Sequence, residues 1–117
     1  MHQFKELLIW KKSRIFCFEI YALTSSFPSD EKFGITNQLR RASVSIPSNI
    51  AEGSSRNSNK DFARFLEIAI GSAYEIETQL LIASDLGFLK IENLEHLLIL
   101  LEEIIKMTSK FRATLKL

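Results

Sequence analysis

Arg41, Ser45, Asn49 and Glu52 recur at intervals of four, four and three residues. On an α-helix that spacing stacks them along one face. A guanidinium, a hydroxyl, a carboxamide and a carboxylate in such a row can do two kinds of chemistry. They can fix the register of a neighbouring helix through a polar network, or they can line a phosphate site anchored by arginine. Glu67 and Glu75, with Ser72 nearby, stand on the following segment and would face that row. Pro47 falls inside the same stretch. It removes a hydrogen bond to the carbonyl of Ser43, at a cost of about 3 kcal/mol unless neighbours compensate. Ser43, Ser45, Ser48 and Asn49 surround the defect, and their side chains could satisfy the freed carbonyl or hold a water there.

Catalytic constellations are not found. A di-iron bundle site needs Glu-x-x-His on two helices. His96 has Asn93 three residues before it, and His2 lies at the terminus, so His96 reads as a helix-surface residue. Ser43, Ser45 and Ser48 have no histidine base nearby and no glycine-rich elbow. Cys17 is the only cysteine, which excludes an intrachain disulfide and a thiolate metal cluster. Flanked by Ile15, Phe16, Phe18 and Ile20, it reads as a buried, inert thiol. No catalytic residue, metal ligand, cofactor or small-molecule substrate is expected.

A second candidate chemistry is cationic. Lys11, Lys12 and Arg14, then Arg40, then Arg56, Lys60 and Arg64 are the candidate nucleic-acid contacts. The chain as a whole is nearly neutral, with fifteen basic and fourteen acidic side chains, which argues against strong non-specific binding to nucleic acid. The distribution is uneven. Residues 1–56 carry eight basic and five acidic groups, a net of +3; residues 57–117 carry seven and nine, a net of −2. A basic face on the first two helices, repeated around an oligomer, would make a strong field. The competing reading is a solvated face with some intersubunit pairs. No aromatic-rich single-strand platform or zinc finger accompanies the charges.

These side chains need elements to position them. The chain has 117 residues, 46% hydrophobic and 25% charged, which is globular composition for one small domain. Four glycines and two prolines leave few turns, so a few long helices are expected, not many short strands. The run Leu7–Trp10 is cut off by Lys11 and Lys12, too short for a signal-peptide core. No apolar run approaches the ~18 residues of a bilayer span. A reducing cytoplasm is the expected location.

Breaks at Ser25–Ser29, Gly53–Ser58 and Gly87 divide the chain into four helices. The first runs from about Phe4 to Leu23, with Phe4, Leu7, Leu8, Lys11, Ile15, Phe18 and Ala22 at core-facing spacing. From Ile15 to Leu23 it is apolar nearly all round, which implies a second contact surface. After a turn at Asp30–Phe33 ended by Gly34, the second helix starts with Thr36 as N-cap. Its seam is Leu39, Ser43, Ile46, Ile50 and Gly53, with Ser43 and Gly53 small enough for close approach. The third begins after a Ser58–Asp61 capping box and carries Phe62, Phe65, Leu66, Ala69, Ala73, Ile76, Leu80 and Ala83 inward to about Asp85. The fourth covers roughly Glu92–Thr114, with Leu94, Leu97, Leu98, Leu101, Ile104, Ile105, Thr108 and Phe111 inward. Short loops make consecutive helices antiparallel. The expectation is one all-α domain over residues 1–117, an up-down-up-down antiparallel four-helix bundle whose second helix contains an internal proline.

The stretch Gln38-Leu-Arg-Arg-Ala-Ser-Val-Ser-Ile-Pro-Ser-Asn-Ile-Ala-Glu-Gly53 resembles the hallmark of the 23S rRNA intervening-sequence protein family, the four-helix bundle proteins. Leu7-Leu-Ile-Trp-Lys11, Tyr21, Phe27-Pro28, Arg56, Ser58, Asp61-Phe62, Arg64-Phe65-Leu66 and Ala69-Ile-Gly-Ser-Ala-Tyr-Glu75 extend the likeness over about residues 4–105. The resemblance implies a four-helix bundle that assembles into a ring, often a pentamer, encoded within ribosomal RNA genes or elsewhere. It also implies a fold shared with the accessory protein of diversity-generating retroelements, which is strongly basic and contacts reverse transcriptase and RNA. The near-neutral charge here departs from that relative.

The resulting expectation is a non-enzymatic cytoplasmic protein that forms a ring-like homo-oligomer, with a homopentamer implied by the resemblance. The apolar segments Ile15–Leu23, Leu80–Ala83 and Leu97–Leu101 supply a motive for assembly. Trp10, Tyr21 and Tyr74 read as packing or interface anchors. The alternative is an RNA- or DNA-binding accessory module.

Overall fold

The computed structural model describes residues 2–117 and contains four α-helices in chain order. They are α1 (Leu8–Thr24), α2 (Ile35–Ser54), α3 (Asn59–Asp85) and α4 (Ile91–Ala113). Each is long enough to matter for packing. The 27 residues of α3 rise about 40 Å at 1.5 Å per residue, close to the 44 Å long axis of the molecule.

Register is fixed by side chains at matching depths. Gln79 meets Gln38, and Ser72 meets Ser45, so seven steps along α2 are seven steps back along α3. Likewise Lys12 pairs with Glu103 and Glu19 with His96, so α1 and α4 are antiparallel too. Among the described residues α1 makes no close backbone approach to α3, nor α2 to α4, so consecutive helices are neighbours and α1 closes against α4. This is the expected up-down-up-down bundle, with Pro47 inside α2.

The ends of the helices follow local chemistry. Ser58 Oγ accepts from the Asp61 backbone N–H at 3.1 Å, the expected N-cap of α3. Gly87, at φ +78, ends α3 in the conformation glycine tolerates best. Around it Phe88 N–H donates to Ala83 O and Gly87 N–H to Ser84 O, the paired bonds of a Schellman turn. Phe27 and Phe88 then pack ring to ring at 5.5 Å, tying the α1–α2 and α3–α4 turns together.

Four expectations need correction. The first helix does not run unbroken from Phe4. Phe4–Glu6 form a 3-10 turn and Leu7 is extended before α1 begins. The inward face of α1 is also different. Ile9, Ser13, Phe16, Ile20 and Thr24 are buried, whereas Leu8, Lys11, Ile15, Phe18 and Ala22 are exposed. Serine and threonine are tolerated inside because their hydroxyls have partners. Ser13 Oγ donates to Trp10 O at 3.0 Å and Thr24 Oγ1 to Ile20 O at 2.7 Å. Third, Thr36 does not cap α2. Gly34 occupies that position, after a 3-10 turn at Ser29–Glu31, and Thr36 is buried in the first turn. Fourth, Cys17 is half-buried, with Ser43 Oγ 3.5 Å from its sulfur.

The other seams match their periodicity. Leu39, Ser43, Ile46, Ile50 and Gly53 of α2 are all buried. So are Phe62, Leu66, Ala69, Ala73, Ile76, Leu80 and Ala83 of α3, with Phe65 half-buried. On α4 Leu94, Leu97, Leu101, Ile104 and Thr108 are buried, while Leu98, Ile105 and Phe111 pack at the margin. Gly53 is needed for close approach. A Cβ there would lie 2.7 Å from Phe65 Cβ and 2.8 Å from Phe62 Cδ1.

Candidate polar, cationic and apolar surfaces

The polar row on α2 divides into separate groups. At its centre Ser45 and Ser72 hydroxyls lie 2.9 Å apart across the α2–α3 seam. Asn49 Nδ2 donates to Ser45 O at 2.8 Å and to Ser45 Oγ at 2.9 Å. Ser43 Oγ donates to Arg40 O at 2.9 Å. The Ser43 and Ser45 hydroxyls and the Asn49 amide are therefore committed to carbonyls and hydroxyls other than the freed one. One helical end away, Arg56 pairs with Glu52 at 3.2 Å and stacks 4.9 Å above the Phe65 ring. Glu67 turns to α4 and binds Arg112, whose Nε also reaches Ala63 O at 3.3 Å. Arg41 is exposed and makes no hydrogen bond or ion pair with another described residue.

Glu75 belongs to a group that sequence reasoning missed. Gln79 Nε2 donates to Glu75 Oε2 at 3.0 Å and to Gln38 Oε1 at 3.4 Å. Gln79 is buried, and its Oε1 has no partner among the described residues. The signal was present: Gln79 lies one step before the core residue Leu80 and four after Glu75.

The cationic candidates separate as well. Arg40 is part of the α1–α2 packing. Its Nε donates to Thr24 Oγ1 at 2.8 Å, Nη2 to Tyr21 O at 3.3 Å, and the guanidinium lies 4.6 Å from the Tyr21 ring centroid. It satisfies a carbonyl in the last turn of α1, where a cation is favoured. Lys12 reaches Glu103 at 2.5 Å. Adjacent helical positions diverge by about 100°, so Arg40 and Arg41 do not converge into one anion site.

Arg56, Lys60 and Arg64 gather at the α2–α3 turn. The same end holds the close of α4, because Asn59 Nδ2 donates to Lys116 O at 3.1 Å. His2 packs there too, 5.1 Å from the Phe62 ring and 5.7 Å from Phe111. Lys110, Arg112 and Lys116 therefore join the basic residues of the turn. The opposite end carries Asp30, Glu31, Asp85, Glu92 and Glu95 against Lys32 and Lys90. Glu52, Asp61 and Glu67 also stand at the first end, so six basic against three acidic side chains leave it positive on balance, which the division of the sequence at residue 56 does not describe.

The third surface is apolar. On α1, Leu8, Ile15 and Phe18 are 55%, 59% and 75% exposed. Ile15 and Phe18 border a shallow cavity of about 940 Å³ together with Phe4, Lys5, Trp10, Lys11 and Arg14. Phe4 meets Trp10 edge to face at 5.1 Å, and Arg14 lies 5.3 Å over the indole. The wall is thus aromatic and the rim entirely cationic. Leu81, Ile82 and Ile99 are exposed within the other two apolar segments.

Among the described residues no group of three or more His, Cys, Asp or Glu side chains is placed to hold a metal ion. His96 is exposed and paired with Glu19 at 2.8 Å. Among the described residues no helix is long and apolar enough to cross a membrane.

An antiparallel four-helix bundle with an internal proline in α2, joined to α3 through small residues, is the class of protein that these features define. The chain belongs to the 23S rRNA-intervening sequence protein family, whose model matches residues 5–110. Its fold is similar to the crystal structure of a protein of unknown function from the S23 ribosomal protein family of Bacteroides thetaiotaomicron VPI-5482. The two are 26% identical with a TM-score of 0.82, over 92% of this chain and 100% of that one. No curated protein matches the chain.

Proposed function

We propose that this is a non-enzymatic cytoplasmic protein that works as a ring-like homo-oligomer, five copies to the ring as the family resemblance implies. The observation that carries this reading is the exposed ridge of α1, where Phe18 is 75% open to solvent beside Ile15. A bundle buries one stripe per helix, and α1 has a second apolar stripe left over. Covering it in a neighbouring copy recovers roughly 25 cal/mol for each Å² of apolar surface removed from water. Light scattering at micromolar concentration tests the reading. The expected result is a multiple of 13.4 kDa that falls to one copy in Phe18→Glu. A monomeric wild-type protein would sink it.

A second reading, an RNA- or DNA-binding accessory module, is favoured by the basic end of the bundle. Lys60 and Arg64 are exposed at the α2–α3 turn and are its best probes, whereas Arg40 and Lys12 are tied to neighbouring helices. The reading requires RNA or DNA binding that weakens steeply between low and moderate salt. Replacing Lys60 and Arg64 by alanine should flatten that salt slope by about two contacts. Binding that ignores salt, or ignores this double substitution, removes it.

A further inference from the structure

We infer that copies of this chain join head to tail, the cationic aromatic ridge of α1 seating in the acidic groove between α3 and α4 of the next copy. The inference rests on the self-assembly reading and adds to it which two faces meet.

The groove is a second open cavity, of about 440 Å³, lined by Tyr74 and Glu77 of α3 and by Leu98, Glu102 and Ile105 of α4. Its walls are apolar, and Tyr74 is 55% exposed. Lys106 also lines it but is paired with Glu102 at 3.1 Å. Leu81 and Asp85 continue the α3 wall at helical spacing, and Glu95 precedes Leu98 on α4. The α1 rim is formed by Lys5, Lys11 and Arg14 with no acidic residue. One face is therefore apolar with a positive rim, and the other is apolar with Glu77, Asp85, Glu95 and Glu102 set against Lys106, a rim that stays negative on balance.

Charge decides the pairing. A symmetric contact of two α1 ridges would set the rim of Lys5, Lys11 and Arg14 against the same cationic rim. A symmetric contact of two grooves would do the same to Glu77 and Glu102. Like-charge juxtaposition across an interface is costly, and opposite potentials steer and register it. The mixed contact sets the positive rim of one copy against the net negative rim of the next. Because α1 and α3 make no close approach within one bundle, the two faces lie on different sides. A copy cannot fill its own groove, and a contact between unlike faces repeats until it closes into a ring or runs on as a filament.

The test is charge reversal read by sedimentation and light scattering. Lys11→Glu with Arg14→Glu should reduce the assembly to single copies, and Glu77→Lys with Glu102→Lys should do the same. All four substitutions in one chain should restore assembly, a rescue that damage to folding cannot produce. Far-ultraviolet circular dichroism of each variant checks that the helices remain. If the wild type is a monomer, the assembly reading itself fails, and this contact with it. If the wild type assembles but the groove variant does too, or the fourfold variant stays monomeric, assembly stands and this pairing of faces is wrong. Raising salt should weaken the wild-type contact and leave an apolar remainder.

Discussion

Where α2 meets α3, the helices come so close that Gly53 has no room for a methyl group, and the Ser45 and Ser72 hydroxyls bond directly across the gap. Where α1 meets α4, three cavities of about 250, 220 and 190 Å³ run along the join from Leu8 past Ile15 to Ala22. That second seam is bridged at its surface by Lys12–Glu103 and Glu19–His96. The difference shows how stability is divided within one bundle. Alanine, serine and glycine let α2 and α3 interlock, so dispersion and buried hydroxyls act at short range. Between α1 and α4 the large side chains stand partly outward, and solvent-screened ion pairs span the gap. The α2 hallmark of the family lies in the tight half. The surplus apolar ridge belongs to the loose half.

This contrast can be broken by substitution. The largest loss is expected at Ile46, fully buried in α2. Ile46→Ala should destabilise by about 2–5 kcal/mol in urea unfolding, since the tight seam cannot collapse around the cavity. Gly53→Ala comes next. The added Cβ meets Phe65 Cβ and Phe62, so overpacking should cost about 1–3 kcal/mol despite alanine's better helix propensity. Gly71→Ala is the control on the same pair of helices. Nothing lies within 4 Å of its Cβ position, so it should stabilise by about 0.4–1 kcal/mol. Lys12→Ala should have the smallest effect, within about 1 kcal/mol, because both partners of its ion pair are half-exposed and screened by solvent. A loss at Lys12 equal to that at Gly53, by thermal or urea unfolding, would show the two seams to be equally demanding.

The same contrast explains what could be read in advance. On α2 the alternation of Leu39, Ser43, Ile46 and Ile50 has polar residues on its other side, so only one face can be inward. On α1 two stripes compete. Ile9, Phe16 and Ile20 form one, and Leu8, Ile15 and Phe18 form the other. Ser13 and Thr24 made the true one look less apolar, because a sequence does not reveal that both hydroxyls return to their own helix backbone. The candidate polar row was legible as residues but not as bonds. Its spacing placed Ser45 and Asn49 at the seam, whereas Glu67 found Arg112, forty-five positions away on α4.

By itself the sequence determined four helices, their turns and three of their inward faces, because these follow from periodicity, caps and glycine conformation within a few residues. Ser58, Gly87 and the α2 seam are local statements that the chain makes without help. Tertiary structure decided which stripe of α1 is buried, where each arginine is held, and that positive charge gathers at one end of the bundle. Those outcomes depend on side chains far apart in sequence competing for the same neighbour. Arg40 joins α1, Arg112 joins α3, and Phe18 is left facing outward. Local periodicity does not encode such competition, because it is settled only when the helices pack.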